Sequence, residues 1–377
     1  MIPFMKQTRW QKIRSWLRRR GLPAALAGCL AWTIAGCGAK PAAAPPVEPV
    51  PPVVQPDPEP PKPPEPRYFA PLTGEGLQEK VEHRPIMVMI NNHPAARPQS
   101  GLTQADIMLE VLAEGEVTRL VALFQSRDFD DPIGPVRSIR PYFIEIGKSF
   151  GAIQAHAGGS PDGYEKIRKE RIEALDEITM SSSSYWRENF RKAPHNLYTS
   201  LSKLRTGAEN RGYETKAAGT EAPVFSFART TRGEAISAAA RPSTPVSRVD
   251  ITFLLQSYKV SYEWDEEKGV YGRLVDDEPH LDMDNDEQLT ASNVIIMGAQ
   301  HRVLDSEGRR DVKLTGSGPA WILQDGKAVQ GQWKRENNGA KFRFETDGKE
   351  AKLAPGQTHI MIVPLDPSFE EHIAMTP

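Results

Sequence analysis

Between Gly134 and Ser160 the sequence GPVRSIRPYFIEIGKSFGAIQAHAGGS gathers Arg137, Ser138, Arg140, His156 and Ser160 around the glycine pair Gly158 and Gly159. Guanidinium forks match carboxylate and phosphate oxygens bidentately, and neighbouring serine or histidine side chains add further donors. Asn91, Arg97, Glu110, Glu114, Arg119, His195 and Asn196 widen the candidate set. The chemistry these types favour is recognition of an anionic group: a carboxylate, a phosphate or a peptide terminus. The same arginines have a structural alternative, because a partly buried arginine needs a carboxylate partner and Glu110 and Glu114 are available. Hydrolysis or group transfer is the second chemistry within reach, with Ser138 or Ser160 activated by His156 or His195 and a glutamate orienting the base. Gly158-Gly159-Ser160-Pro161-Asp162 does not have the G-x-S-x-G spacing of a nucleophile elbow, however, and Ser160 is better placed as a helix cap.

Metal and nucleotide chemistry find less support. There is no H-E-x-x-H pair and no G-x-x-x-x-G-K loop, and the cluster Asp282, Asp284 and Asp286 lacks the glycine and final glutamate of a calcium loop. That cluster is expected to be a solvated turn. No metal and no cofactor is expected. Trp321 and Trp333 are expected as core or hairpin residues rather than a sugar platform.

The elements that must position the arginines follow from local sequence. Arg140 precedes a proline, which pushes it out of the helical region, so Arg137 to Arg140 should be extended or loop. Pro141 then suits the first turn of a short helix, PYFIEIGKSF. AIQAHA reads as a strand running into Gly158-Gly159, and Ser160-Pro161 as the cap and first turn of a second helix. If both loops lie at one edge of a sheet, two helix N-termini and two guanidinium groups converge on one anion site.

Upstream, Arg84–Ile90 and Val117–Ser126 read as strands. ADIMLEVLAEG is ambiguous between strand and helix, and a spacing of four keeps Glu110 and Glu114 on one face in either case. Helical patterns follow at SPDGYEKIRKERI and LSKLRTGAENRG. Beyond Arg229 the chain changes to short strands with Gly or Asp-Gly turns at Lys268-Gly269, Asp325-Gly326 and Asp347-Gly348. The expected class is therefore α+β: a mixed α/β ligand-binding domain over residues 67–228, a linker over 229–245, and a β-rich sandwich or barrel-like domain over 246–377.

The N-terminus has another character. Residues 1–36 hold seven basic side chains and no acid, followed by an apolar run from Leu22 to Ile34 that is too short for a membrane span of roughly 20 residues. With Ile34-Ala35-Gly36-Cys37 behind it, this is the pattern of a lipoprotein signal peptide (1–36) with Cys37 as the lipidated residue. Cys29 and Cys37 are the only cysteines, so no disulfide staples the body. The tract 38–66 is dominated by proline, which has no N–H to give a sheet, and is expected as an extended tether. The predicted location is the outer face of the plasma membrane, held to the bilayer through Cys37, with a wall polymer or envelope protein as partner. Outside residues 1–36 there remain 40 basic against 49 acidic residues, a net of −9, which argues against nucleic-acid binding.

At these residues the chain resembles the YerB-like family of bacterial lipoproteins, built from two domains of unknown function and typical of Gram-positive firmicutes. The resemblance is carried by Asn91-Asn92-His93-Pro94-Ala95-Ala96-Arg97-Pro98-Gln99-Ser100-Gly101-Leu102, by Glu114-Gly115-Glu116-Val117-Thr118-Arg119 and by GPVRSIRPYF. It continues with His156-Ala157-Gly158-Gly159-Ser160-Pro161 and Ala193-Pro194-His195-Asn196-Leu197-Tyr198. It spans about residues 68–365, with Glu116 standing where the family has a glycine. It implies a lipid anchor and an extracytoplasmic location, and transfers no catalytic residues. The function expected is a binding or accessory module of the cell envelope, with an envelope hydrolase or transferase using His156 and His195 as the alternative. A transporter's substrate-binding protein fits poorly with so β-rich a second half.

Overall fold

The structure, a computed structural model, describes residues 65–180, 183–217, 223–228, 243–254 and 258–377. The signal peptide, Cys37, nearly all of the proline tract and most of the linker lie outside the described residues. Residues 63–377 form one compact unit.

The first half contributes β1 (Ile86–Asn91), β2 (Ile107–Glu114), β3 (Val117–Phe124), α1 (Pro141–Ser149), β4 (Ile153–His156), α2 (Pro161–Glu170), β5 (Ala174–Asp176), β6 (Trp186–Arg187), β7 (Leu197–Tyr198) and α3 (Leu201–Asn210). The second half supplies β8 (Arg248–Thr252), β9 (Lys259–Asp265), β10 (Val270–Val275), β11 (Asn293–Val303), β12 (Arg310–Lys313), β13 (Gly316–Gln324), β14 (Lys327–Arg335), β15 (Arg343–Thr346), β16 (Thr358–Pro364) and β17 (Ile373–Thr376).

One large sheet runs through both halves in the order β15-β14-β13-β11-β16-β2-β3-β1-β4-β5. The seam is the parallel pair β16 and β2, with Ile360 opposite Leu109. Strands β1, β2 and β16 are buried on both faces, which is why their sequences IMVMIN, IMLEVLAE and THIMIVP are nearly continuous apolar runs without alternation. On one face Met87, Met89, Leu109 and Val111 pack with Phe143 and Ile146 of α1. On the other, Val88, Ile90, Leu120 and Ala122 pack with Leu201 and Leu204 of α3. Further along that second face, Leu112, Val294, Ile296 and Met361 meet Val249, Ile251, Val260 and Tyr271 of a six-stranded sheet built around β10-β9-β8-β17. The second half thus has two β layers, one of which continues into the first half rather than closing on itself. Three α-helices stand among the described residues against this sheet, a mixed α+β architecture.

Local expectations meet the structure at several points. ADIMLEVLAEG is a strand, and a β-bulge between Leu112 and Glu114 shifts its register. Consequently Glu110 and Glu114 do not share a face: the extra residue of a bulge turns the following side chain over. Asp325 and Gly326 both have positive φ, at 51° and 68°, giving the two-residue turn that joins β13 to β14. Trp333 is a core residue whose Nε1 donates to Gly298 O at 2.7 Å. Asp282 is not solvated as expected. It is fully buried and accepts from Gly101 N at 3.1 Å and Thr103 N at 2.9 Å, tying the second half to the loop after β1.

Candidate functional site: the cationic edge of the sheet

The loop before α1 and the loop before α2 meet along their backbones. Ile139 N donates to Gly158 O at 3.0 Å, Ser160 N to Ile139 O at 3.3 Å, and Ala157 N to Arg137 O at 3.0 Å. Extended geometry at Arg140, set by the following proline, lets this segment pair like a short strand while α1 starts at Pro141. Ser160 Oγ accepts from Gly163 N at 3.1 Å and caps α2. Gly158 holds φ at +72°, and its N–H donates to Asp176 Oδ1 at 2.9 Å. The chain therefore brings together Arg137, Ser138, Arg140, Gly158, Gly159 and Ser160.

Three arginines crowd this edge around one carboxylate. The bulge delivers Glu114 to the α1 side, where Oε2 accepts from Arg119 at 2.7 Å and Oε1 from Arg140. Arg119 also donates to Ser138 O at 3.3 Å, and Arg140 to Ile139 O at 2.7 Å. Nε of both arginines is buried without a partner. Burial, with Arg137 nearby adding repulsion, lowers the pKa of Arg119 to about 9. Arg137 is half-buried, its pKa lowered by desolvation, and it has no acidic partner among the described residues. Asp305 and Glu307 also act on Arg140, so the guanidinium left without a carboxylate is that of Arg137.

His195 adjoins Arg137 because Val136 N donates to Leu197 O at 2.7 Å, laying the two segments side by side. Asn91 fixes its tautomer. Asn91 Oδ1 accepts from His93 N at 3.1 Å, so its amide nitrogen faces His195 Nδ1 at 3.0 Å and donates to it. Nδ1 is then an acceptor and the proton of the neutral ring sits on Nε2. His93 stacks on His195 with centroids 4.6 Å apart, and its own Nδ1 accepts from Ala95 N at 3.1 Å. Burial lowers the pKa of His195, reinforced by His93, Arg137 and Arg191. Each imidazole thus carries its ring proton on Nε2, and Arg137 lies near enough to act on His195.

The other predicted residues lie elsewhere. Glu110 is fully buried on the opposite face, with Oε2 2.6 Å from Arg273 and Oε1 accepting from Thr118 at 2.6 Å and Asn92 at 3.1 Å. Arg97 lies over the ring of Tyr258 at 5.2 Å and 3.9 Å from Asp276, at the junction with the second half. Asn196 belongs to the β6–β7 hairpin, donating to Glu188 O at 2.8 Å and accepting from Arg187 at 3.2 Å. His156 is fully buried, with Nδ1 donating to Gly158 O at 2.9 Å and standing 3.5 Å from Asp176, while Nε2 has no partner. Neither Ser138 nor Ser160 is hydrogen-bonded to His156 or His195, so the predicted serine nucleophiles and histidine bases are not paired. No group of three His, Cys, Asp or Glu side chains among them is placed to hold a metal.

Sequence reasoning missed His93, Asp176, Arg191 and Arg273. Arg191 ties the loop after β1 to the β6–β7 hairpin by donating to Ala96 O at 2.7 Å and Tyr198 Oη at 3.1 Å. His93 carried a usable signal, since it sits beside Asn91 and Asn92 in a polar loop that follows a buried strand.

The two halves of the chain correspond to the two family models that match it. The protein belongs to a family defined by two domains: residues 72–214 match “Protein of unknown function (DUF3048) N-terminal domain” and residues 249–360 match its C-terminal domain. Within that family the chain is 35% identical over 298 residues to “Putative lipoprotein YerB” of Bacillus subtilis (strain 168), covering 78% of this chain and 86% of that protein. The crystal structure of YerB protein from Bacillus subtilis superposes with a TM-score of 0.72 at 33% identity, over 82% of this chain and all of the other.

Proposed function

We propose that this protein is a lipid-anchored binding module on the outer face of the plasma membrane, and that its cationic edge takes an anionic group of the cell envelope. The anchor rests on the Ile34-Ala35-Gly36-Cys37 motif behind a short apolar run, and on the lipoprotein name of the Bacillus relative. No helix among the described residues is long and apolar enough to cross a membrane. One observation carries the binding function: Arg137 stands half-buried without a carboxylate, near enough to His195 to act on it, while Arg119 and Arg140 already share Glu114. Charge that is neither paired nor fully solvated strengthens any anion that reaches it.

The ligand is a phosphate or carboxylate on a wall polymer or peptide. Calorimetric titration with glycerol phosphate oligomers and with purified peptidoglycan fragments tests this. A charge-assisted hydrogen bond contributes about 1.5–3 kcal/mol, so Arg137→Ala should weaken binding roughly tenfold or more at an unchanged melting temperature. Parent protein that binds neither probe, or an Arg137→Ala variant that binds as well as the parent, contradicts the reading. Cys37→Ala should release the protein from membranes or leave it unprocessed, and a processed chain still retained on membranes would exclude the anchor.

A further inference from the structure

One histidine near the end of the chain sits where geometry fixes its charge. His372 is 4% exposed and closes the turn Glu370–His372 that leads into β17. Its Nδ1 lies 2.9 Å from Thr252 O and its Nε2 3.0 Å from Asp366 O. Both partners are backbone carbonyl oxygens, which accept hydrogen bonds and have no proton to give. A neutral imidazole has one N–H and one lone pair, so one of the two contacts would set a lone pair against an oxygen at hydrogen-bond distance. Only a ring with a proton on each nitrogen satisfies both. His156 and His301 differ: each turns Nδ1 to a single carbonyl and leaves Nε2 without a partner, as a neutral ring allows.

The two carbonyls belong to segments that are far apart in the chain. Thr252 ends β8, and Asp366 lies in the loop after β16. His372 therefore ties both to the start of β17, which stands at the edge of the six-stranded sheet and pairs with β8 from Ile373 opposite Ile251 to Thr376 opposite Arg248. Ile373 and Met375 pack against the core, whereas Ala374 and Thr376 are exposed. A strand of four residues at a chain terminus belongs to the least stable part of a fold, so one hydrogen bond at its first turn is a large share of what holds it.

The charged and titratable groups around the ring do not replace its proton. Asp366, Glu370 and Glu371 are exposed, and Ser368 Oγ donates to Glu371 Oε1 at 3.3 Å. On β11, burial first and then repulsion from Arg310 and His372 bring His301 down to about 4, so that ring stays neutral. We infer that His372 is an imidazolium whose proton clamps the C-terminal strand. With the proton, the ring donates charge-assisted hydrogen bonds to both carbonyls; without it, one contact is lost and β17 loosens from the backbone edge of β8. The native state then holds a proton that the unfolded chain gives up near pH 6.5. This contribution to stability is complete below about pH 6.5 and is lost as pH rises.

Nitrogen-15 NMR on the full chain in detergent micelles reads the ring directly, with the His372 signals assigned by their loss in His372→Gln. At about pH 7, where an exposed imidazole is mostly neutral, both ring nitrogens of His372 should carry a proton. Across the pH interval in which the second proton leaves, hydrogen exchange of residues 373–376, normalised to the intrinsic rate, should quicken roughly tenfold or more, as expected for one charge-assisted hydrogen bond lost. His372→Gln keeps an amide donor but no charge, and should exchange at the faster rate throughout that interval. A His372 ring with a single proton at about pH 7 overturns the inference. So does exchange in the parent protein that ignores the loss of the second proton, or a pH dependence that His372→Gln retains.

Discussion

Glu114 divides its two oxygens between Arg119, which is 2% exposed, and Arg140. Removing it strands a desolvated guanidinium, so Glu114→Ala should lower stability by about 3–5 kcal/mol in chemical denaturation, whereas Arg137→Ala should leave the denaturation midpoint unmoved. Equal losses in the two variants would mean that Arg137 has a partner too. The sequence offered both roles for the arginines, and the structure distributes them: pairing for Arg119 and Arg140, an open guanidinium for Arg137. That split was not legible, because Glu114 reaches Arg140 from 26 positions away and only after the bulge has turned it. Ser160 was legible in both role and partner, since a helix cap is a local contract between a serine and the amide three residues on.

At the scale of elements, proline and glycine signals were the most informative. Pro141 and Pro161 each open a helix, and Gly158 turns the chain between β4 and α2. What they could not give was the meeting of the two loops, which depends on β1 and β4 lying side by side in parallel. Gly158 is where that meeting is most exposed to substitution. Its φ of +72° disfavours any L side chain by roughly 1–2 kcal/mol, and an added Cβ would lie 3.2 Å from Ile178 Cδ1. Gly158→Ala should therefore lower stability by about that amount. It should also weaken anion binding by displacing the segment that pairs with Ile139. Stability lost with binding intact would place the ligand away from these loops.

For the whole molecule, the decisive contacts join distant halves of the chain. Glu110 and Arg273, 163 positions apart, are both fully buried and paired at 2.6 Å. Arg273 Nε also donates to His280 Nδ1 at 2.9 Å, and its Nη1 to Tyr262 Oη at 2.8 Å. No local pattern announces such a pair, which is why Glu110 stood in the candidate site and Arg273 did not. Arg273→Leu should cost about 3–5 kcal/mol, and the double replacement Glu110→Leu with Arg273→Leu should recover much of it, since replacing both charges removes the stranded ion. Buried histidines, two of them in this network, set the response to pH. His280 and His359 are held well below their ordinary value of 6.5, and His156 below it, by desolvation first. Below about pH 6.5 the unfolded chain then binds more protons than the native one, so these groups make stability fall as pH falls. Asp106 acts in the opposite sense: burial raises its pKa from 3.8 to about 6, so between about pH 4 and 6 the native state binds the extra proton and gains stability with acid. Each group contributes at most about 1.4 kcal/mol per pH unit, and three histidines outweigh one carboxylate. Denaturant midpoints should therefore drop on acidification from pH 6.5 to about pH 5. Asp106→Asn removes the opposing proton and should steepen that drop by up to about 1.4 kcal/mol per pH unit, whereas a parallel profile for the two proteins would show that Asp106 titrates alike folded and unfolded.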